Sequence, residues 1–211
     1  MNNKDSFNYY VLAGILLTLI GAAVIWKALG QGPEPAGQLR SVTEFRDSDP
    51  LPAFRLNGPK GDFTNTQLMG QWTFIFFGYT QCPDVCPTAL SLMLNVRKEL
   101  LGKSAVQLPV VTFVSVDPRR DTRELLDQYM TAFDPSFVGL RGNDEELMPL
   151  LKNLGVFYQR HDDKDKKNYT VDHSTGIYLI DPKGRLAAVF SSPQEAKQMA
   201  DDFGRIAKRG E

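Results

Sequence analysis

Two cysteines occur in this chain of 211 residues, and both stand in one short stretch, "GYTQCPDVCP", as Cys82 and Cys86. A free cysteine is commonly just a small buried hydrophobe, but confining both thiols to a proline-rich turn points to chemistry. Four residues apart on a turn or a first helical turn, the two sulfurs can meet. They can then share one ion, or form a disulfide if their Cα atoms lie roughly 4.4–6.8 Å apart. A position at a helix start favours thiolate over thiol, through unpaired backbone N–H groups and the positive end of the helix dipole. Both sulfurs are therefore expected to be activated. Asp84 lies between them, where it can shape the turn or meet a partner.

Two thiolates alone do not hold a metal in a defined geometry, so a third ligand is needed. The chain has two histidines, His161 and His173. His161 opens "HDDKDKK", residues His161 to Lys167, which reads as a solvated charged loop. His173 lies in "VDHSTGIYLI", immediately before an apolar run. A core histidine bonded to backbone is the plain alternative, but the dithiol turn makes Cys82, Cys86 and His173 the stronger reading. Two sulfurs and one imidazole suit one copper ion per chain, as soft-ligated Cu(I) or as Cu(II). Zinc is chemically acceptable too, although a closed structural zinc site takes four protein ligands. Three ligands leave a position open, which suits transfer to a partner.

The elements that must position these residues follow from the apolar pattern. "WTFIFFGY", residues 72–79, is an unbroken apolar run and reads as a central parallel strand covered on both faces. It feeds the dithiol turn and a helix from about Pro87 to Leu101, with Pro87 at the first helical position. A second apolar strand covers residues 108–117, a helix 122–133, a short strand 137–140 and a helix 144–154. "TGIYLIDPKGRLAAVF" is a hairpin about Asp181–Gly184, with Pro at the second turn position and Gly at the fourth. Pro193 is expected to open a last helix ending near Lys208. Upstream, "PAFRL" and "DFTN" flank a Gly/Pro turn and read as two short strands. Alternating strands and helices make an α/β class. A central strand, dithiol turn, helix, crossover and closing hairpin make it a thioredoxin-like fold, with a central mixed sheet flanked by helices. In such a fold the segment at His173 approaches the dithiol turn.

From Tyr9 to Trp26 there is no charged residue. A helix of that length nearly crosses a hydrocarbon core of about 30 Å, with Tyr9, Tyr10 and Trp26 suited to the two interfaces. A cleaved signal peptide would have a shorter apolar region and more basic residues before it, and "ALG" at Ala28 to Gly30 offers a poor cleavage site as the alternative to a retained anchor. The expected organisation is an N-terminal membrane anchor at 1–29, a flexible Gly/Pro-rich tether at 30–50 and one folded domain at 51–211. A net charge of −1 with mixed signs along the chain supplies no basic field, which argues against nucleic acid as a partner.

"FFGYTQCPDVCP", "VSVDPRRDT" and "VDHSTGIYLIDPKG" closely resemble the SCO/SenC family of copper-handling assembly factors for cytochrome c oxidase. The three motifs occur in the family's order over nearly all of residues 50–205. The resemblance implies Cys82, Cys86 and His173 as copper ligands, and a disulfide between the cysteines that would release the metal. It implies delivery of copper to the binuclear site of oxidase subunit II, or reduction of that site's cysteines, with an upstream copper donor. It also implies a soluble domain facing the bacterial periplasm or the mitochondrial intermembrane space. The N-terminus lacks an Arg-rich amphipathic presequence, which favours a single-pass protein of a bacterial inner membrane.

Asp117 and Asp121 match a family motif, and the resemblance implies support behind the metal ligands or contact with a partner. Read without it, Asp121 is a helix N-cap and Asp117-Pro118 a strand-ending turn. Two functions compete: a copper chaperone without turnover of its own, and a membrane-anchored thiol-disulfide reductase acting on a target dithiol through Cys82 and Cys86. An imidazole beside the dithiol and three residues between the cysteines favour the chaperone, since exchangers of this fold usually carry two. Peroxide reduction at Cys82 is a weaker third reading, because "GYTQC" lacks the proline-led pattern.

Overall fold

The computed structural model describes residues 13–22, 24–25, 41–102, 107–161 and 169–209, and the chain divides into two units, Met1–Arg40 and Ser41–Glu211. In the first unit, residues 13–22 and 24–25 are helical. Among the described residues no helix is long and apolar enough to cross a membrane. The rest of the predicted span, the predicted tether up to Arg40 and residues 162–168 of the charged loop lie outside the described residues.

The second unit is built on a six-stranded mixed sheet. Its strands are β1 (Val42–Glu44), β4 (Thr73–Gly78), β5 (Val110–Ser115), β6 (Val138–Leu140), β9 (Ile177–Ile180) and β10 (Leu186–Phe190), in the order β1-β10-β9-β4-β5-β6. The pairs β4–β5 and β5–β6 are parallel, while β4–β9, β9–β10 and β10–β1 are antiparallel. Every residue of β4 is buried, as its unbroken apolar run requires. Two antiparallel hairpins stand outside the sheet, β2 (Arg55–Gly58) with β3 (Gly61–Thr64), and β7 (Tyr158–His161) with β8 (Thr170–His173).

Among the described residues four α-helices accompany the sheet: α1 (Val85–Leu101), α2 (Arg123–Phe133), α3 (Asp144–Leu154) and α4 (Ala196–Ala207). Helix α1 buries Cys86, Ala89, Leu90, Met93, Val96 and Leu100, a three-and-four spacing that marks one face. It packs against α4. Phe203 of α4 meets Trp72 at 5.8 Å and Phe74 at 5.6 Å between ring centroids, closing the core over the sheet.

Val42 pairs with Phe190, Phe190 with Ile177 and Ile177 with Phe76. The domain therefore begins at the end of the sheet where β4 delivers the dithiol turn. Helix α4 leads to the other end, where Arg205 and Arg209 form ion pairs with Glu44 after Phe203 has crossed Trp72.

Several expectations are corrected. Strand β1 falls inside the stretch read as tether, because Val42 buries its side chain and the strand completes the exposed edge of β10. Helix α1 starts at Val85, placing Cys86 within its first turn and Pro87 third rather than first. Pro193 lies before α4, whose N-cap position is Glu195. The segment ending at His161 is a strand: β7 pairs residue by residue with β8, and His161 Nε2 lies 2.7 Å from Asp172 Oδ2.

Candidate metal centre

Cys82 sits in the loop after β4, Cys86 in the first turn of α1 and His173 at the end of β8. Their ligand atoms all lie within 4.8 Å of one another. Both cysteines are free thiols, Cys86 buried and Cys82 partly exposed. The backbone N–H of Cys86 donates to Cys82 Sγ at 3.4 Å, and Cys86 Sγ lies 3.5 Å from His173 Nε2.

The imidazole is oriented from its other nitrogen. Nδ1 lies 3.0 Å from the Ser174 carbonyl oxygen, which can only accept, so Nδ1 carries the proton and Nε2 presents its lone pair to the sulfurs. Edge contacts with Phe76 and Tyr79, at 5.9 and 6.0 Å between centroids, hold the ring upright. Burial holds its pKa below the ordinary 6.5, so the neutral, ligating form prevails.

The expected activation of both thiols is corrected at Cys86. Its side chain is wholly buried, and burial pushes its pKa up, outweighing the helix start. Cys86 is therefore a thiol facing the Nε2 lone pair.

The sulfur fits only because residue 78 is glycine. A Cβ there would stand 2.6 Å from Cys86 Sγ and 2.9 Å from the Phe113 ring. The glycine that ends an otherwise unbroken apolar strand was the available sequence signal.

Asp117 and Asp121 are both fully buried, and neither side chain is among the three ligand groups. Asp121 does not cap α2; Thr122 does, accepting from the Leu125 amide. The Asp121 carboxylate instead accepts from the Thr80 amide at 3.1 Å, the Thr80 hydroxyl at 2.6 Å and the Ser115 hydroxyl at 2.6 Å. It thus anchors the loop two residues before Cys82. Asp117 accepts from Arg120 Nε at 2.5 Å and from the Tyr169 hydroxyl. Sequence reading passed over Thr80, Ser115 and Tyr169, whose roles depend on contacts between distant segments. Asp84 occupies the N-cap position of α1 but makes no capping bond and is exposed. His161 is exposed on the β7–β8 hairpin and does not join the cluster.

Residues 45–208 match the SCO1/SenC family. The SCO2-like protein of Rickettsia prowazekii (strain Madrid E) is 32% identical over 206 residues, 96% of this chain and 98% of that protein. Among solved structures, Arabidopsis thaliana ScoI with copper bound is similar at TM-score 0.71 and 30% identity, covering 76% of this chain and 99% of that one. Bradyrhizobium japonicum ScoI with copper bound is similar at TM-score 0.65 and 34% identity, over 75% and 99% of the two chains. By the extent of these matches, this chain belongs to the SCO1/SenC family.

Proposed function

We propose that the protein is a copper chaperone that carries one ion between the Cys82 and Cys86 sulfurs and His173 Nε2. Its destination is the binuclear copper site of cytochrome c oxidase subunit II, and an upstream donor loads it. The observation that carries the reading is the convergence of three ligand atoms within 4.8 Å, with the imidazole tautomer set by Ser174. Two soft sulfurs and a borderline nitrogen fit both copper oxidation states. Three protein ligands leave room for an incoming ligand from a partner, as transfer requires. Relatives at 30% and 34% identity are known with copper bound.

The uncharged stretch 9–26 supports a membrane anchor over residues 1–29, with a tether following it and the domain in the periplasm of a bacterium. Mitochondrial placement, facing the intermembrane space, is the alternative.

A second reading, thiol-disulfide exchange on a target dithiol, draws on the partial exposure of Cys82 and the N–H that Cys86 donates to its sulfur. The exposure of Asp84 between the two cysteines supports contact with the partner in either reading.

The test is anaerobic titration of the reduced full-length chain in detergent with Cu(I) and with Cu(II), in wild type and His173→Ala. One tight equivalent of each, with Cu(II) binding lost in the variant, supports the chaperone. Absence of stoichiometric binding, with a readily exchanged disulfide, moves the assignment to the reductase.

A further inference from the structure

Arg120 is not a ligand, yet its contacts join the two chain segments that supply the ligands. Its guanidinium lies over the Tyr169 ring, 3.6 Å from the centroid, with the Tyr79 ring at 5.4 Å. Nε donates to Asp117 Oδ2 at 2.5 Å. Nη1 donates to the Tyr169 carbonyl at 2.8 Å and to Gln81 Oε1 at 3.3 Å. The Tyr169 hydroxyl returns to the other oxygen of Asp117.

Tyr169 immediately precedes β8, which ends in His173. Tyr79 and Gln81 belong to the loop that ends in Cys82, and the Tyr79 carbonyl accepts from the Cys82 amide at 3.2 Å. The Tyr79 ring also stands at 90° to the His173 ring. One guanidinium thus touches the base of the histidine strand and the stem of the cysteine loop. Its side chain is 11% exposed, so solvent screens these contacts little.

We infer that Arg120 is a positioning residue that sets His173 against the two sulfurs, and with it the retention of Cu(II) relative to Cu(I). This rests on the copper reading above. Cu(I) is satisfied by soft thiolates, whereas Cu(II) depends on the imidazole nitrogen. A ring displaced from the sulfurs therefore costs one oxidation state more than the other. Lysine cannot replace the residue, because a single ammonium on a flexible stem cannot stack on Tyr169 and reach Asp117, Gln81 and the Tyr169 carbonyl together.

The experiment uses the reduced full-length chain in detergent, as wild type, Arg120→Lys and Tyr169→Phe, the last keeping the stacked ring and removing only its hydroxyl. Cu(I) and Cu(II) are titrated separately, and amide hydrogen exchange is followed in the metal-free protein. Arg120→Lys is expected to weaken Cu(II) binding by roughly 10- to 100-fold, the range for residues that orient metal ligands. It should shift the thiolate-to-Cu(II) absorption, leave Cu(I) affinity unchanged and quicken exchange at Val171–His173. Tyr169→Phe should move each readout the same way by less. Wild-type Cu(II) affinity and spectrum in both variants would overturn the assignment, as would an equal loss of both oxidation states. If wild type binds no copper, the chaperone reading fails and the exchange data still decide whether Arg120 holds β8. Unchanged exchange at Val171–His173 then rejects the positioning role.

Discussion

Cys86 Sγ and His173 Nε2 face each other at 3.5 Å, a thiol against an imidazole lone pair. The Ser174 carbonyl fixes the imidazole tautomer and burial keeps the thiol protonated. A metal ion held between them would take the place of that proton, so metal uptake is expected to release protons and to strengthen as pH rises.

The same burial makes His173 a source of pH dependence in the metal-free protein. Its pKa in the folded state lies below the ordinary 6.5 of the unfolded chain. The unfolded state therefore takes up the proton first, so stability from this group is complete above pH 6.5 and is lost as pH falls through the depressed value. Urea melts of the metal-free protein from about pH 8 down to about pH 4 should show that loss in wild type. The loss should be smaller in His173→Ala.

Gly78→Ala places a methyl group 2.6 Å from Cys86 Sγ, against the ring of Phe113, which has no room to retreat from a packed core. The expected cost is roughly 1–3 kcal/mol of stability, together with loss of copper binding from a displaced sulfur. Thermal melting and copper stoichiometry measure the two effects, and retention of one tight copper would show that the cradle yields.

Asp121→Ala leaves the Thr80 amide and two hydroxyls without their buried acceptor. Each group left unpaired costs about 1–3 kcal/mol, so a lowered melting temperature and a disordered Cys82 loop are expected. Burial raises the Asp121 pKa above the ordinary 3.8. The folded state then holds this proton longer than the unfolded chain, so the group's contribution falls as pH rises from 3.8 through the raised value. Asp121→Asn should flatten that slope in denaturant melts.

Asp84→Ala should change stability by no more than about 0.5 kcal/mol, the usual range for surface positions, since Asp84 makes no capping bond. Copper binding should stay as in wild type. Slower copper transfer to the purified copper-binding domain of oxidase subunit II would then report contact with the partner, and an unaltered transfer rate would remove Asp84 from that surface.

The architecture was legible where local pattern dominates. The unbroken run at β4, the Asp181–Gly184 hairpin and the four helices of the domain follow from periodicity and turn chemistry. The convergence of Cys82, Cys86 and His173 was legible because sulfur and imidazole are so sparse in the chain. Protonation was not: the helix start argues for a thiolate at Cys86, and its burial, known only from packing, reverses that. Asp121 shows the same limit. Its neighbours in sequence make a helix cap plausible, whereas its partners Thr80 and Ser115 come from other strands' ends. Arg120 was hidden for the same reason, since Tyr169 lies 49 residues away.

Helix α4 packs Phe203 on Trp72, the residue just before β4, and ends with Arg209 paired to Glu44, whereas the cysteine loop follows the far end of β4. A fluorophore, affinity tag or surface linkage added after α4 therefore leaves the cysteine side clear for optical or immobilised-binding assays.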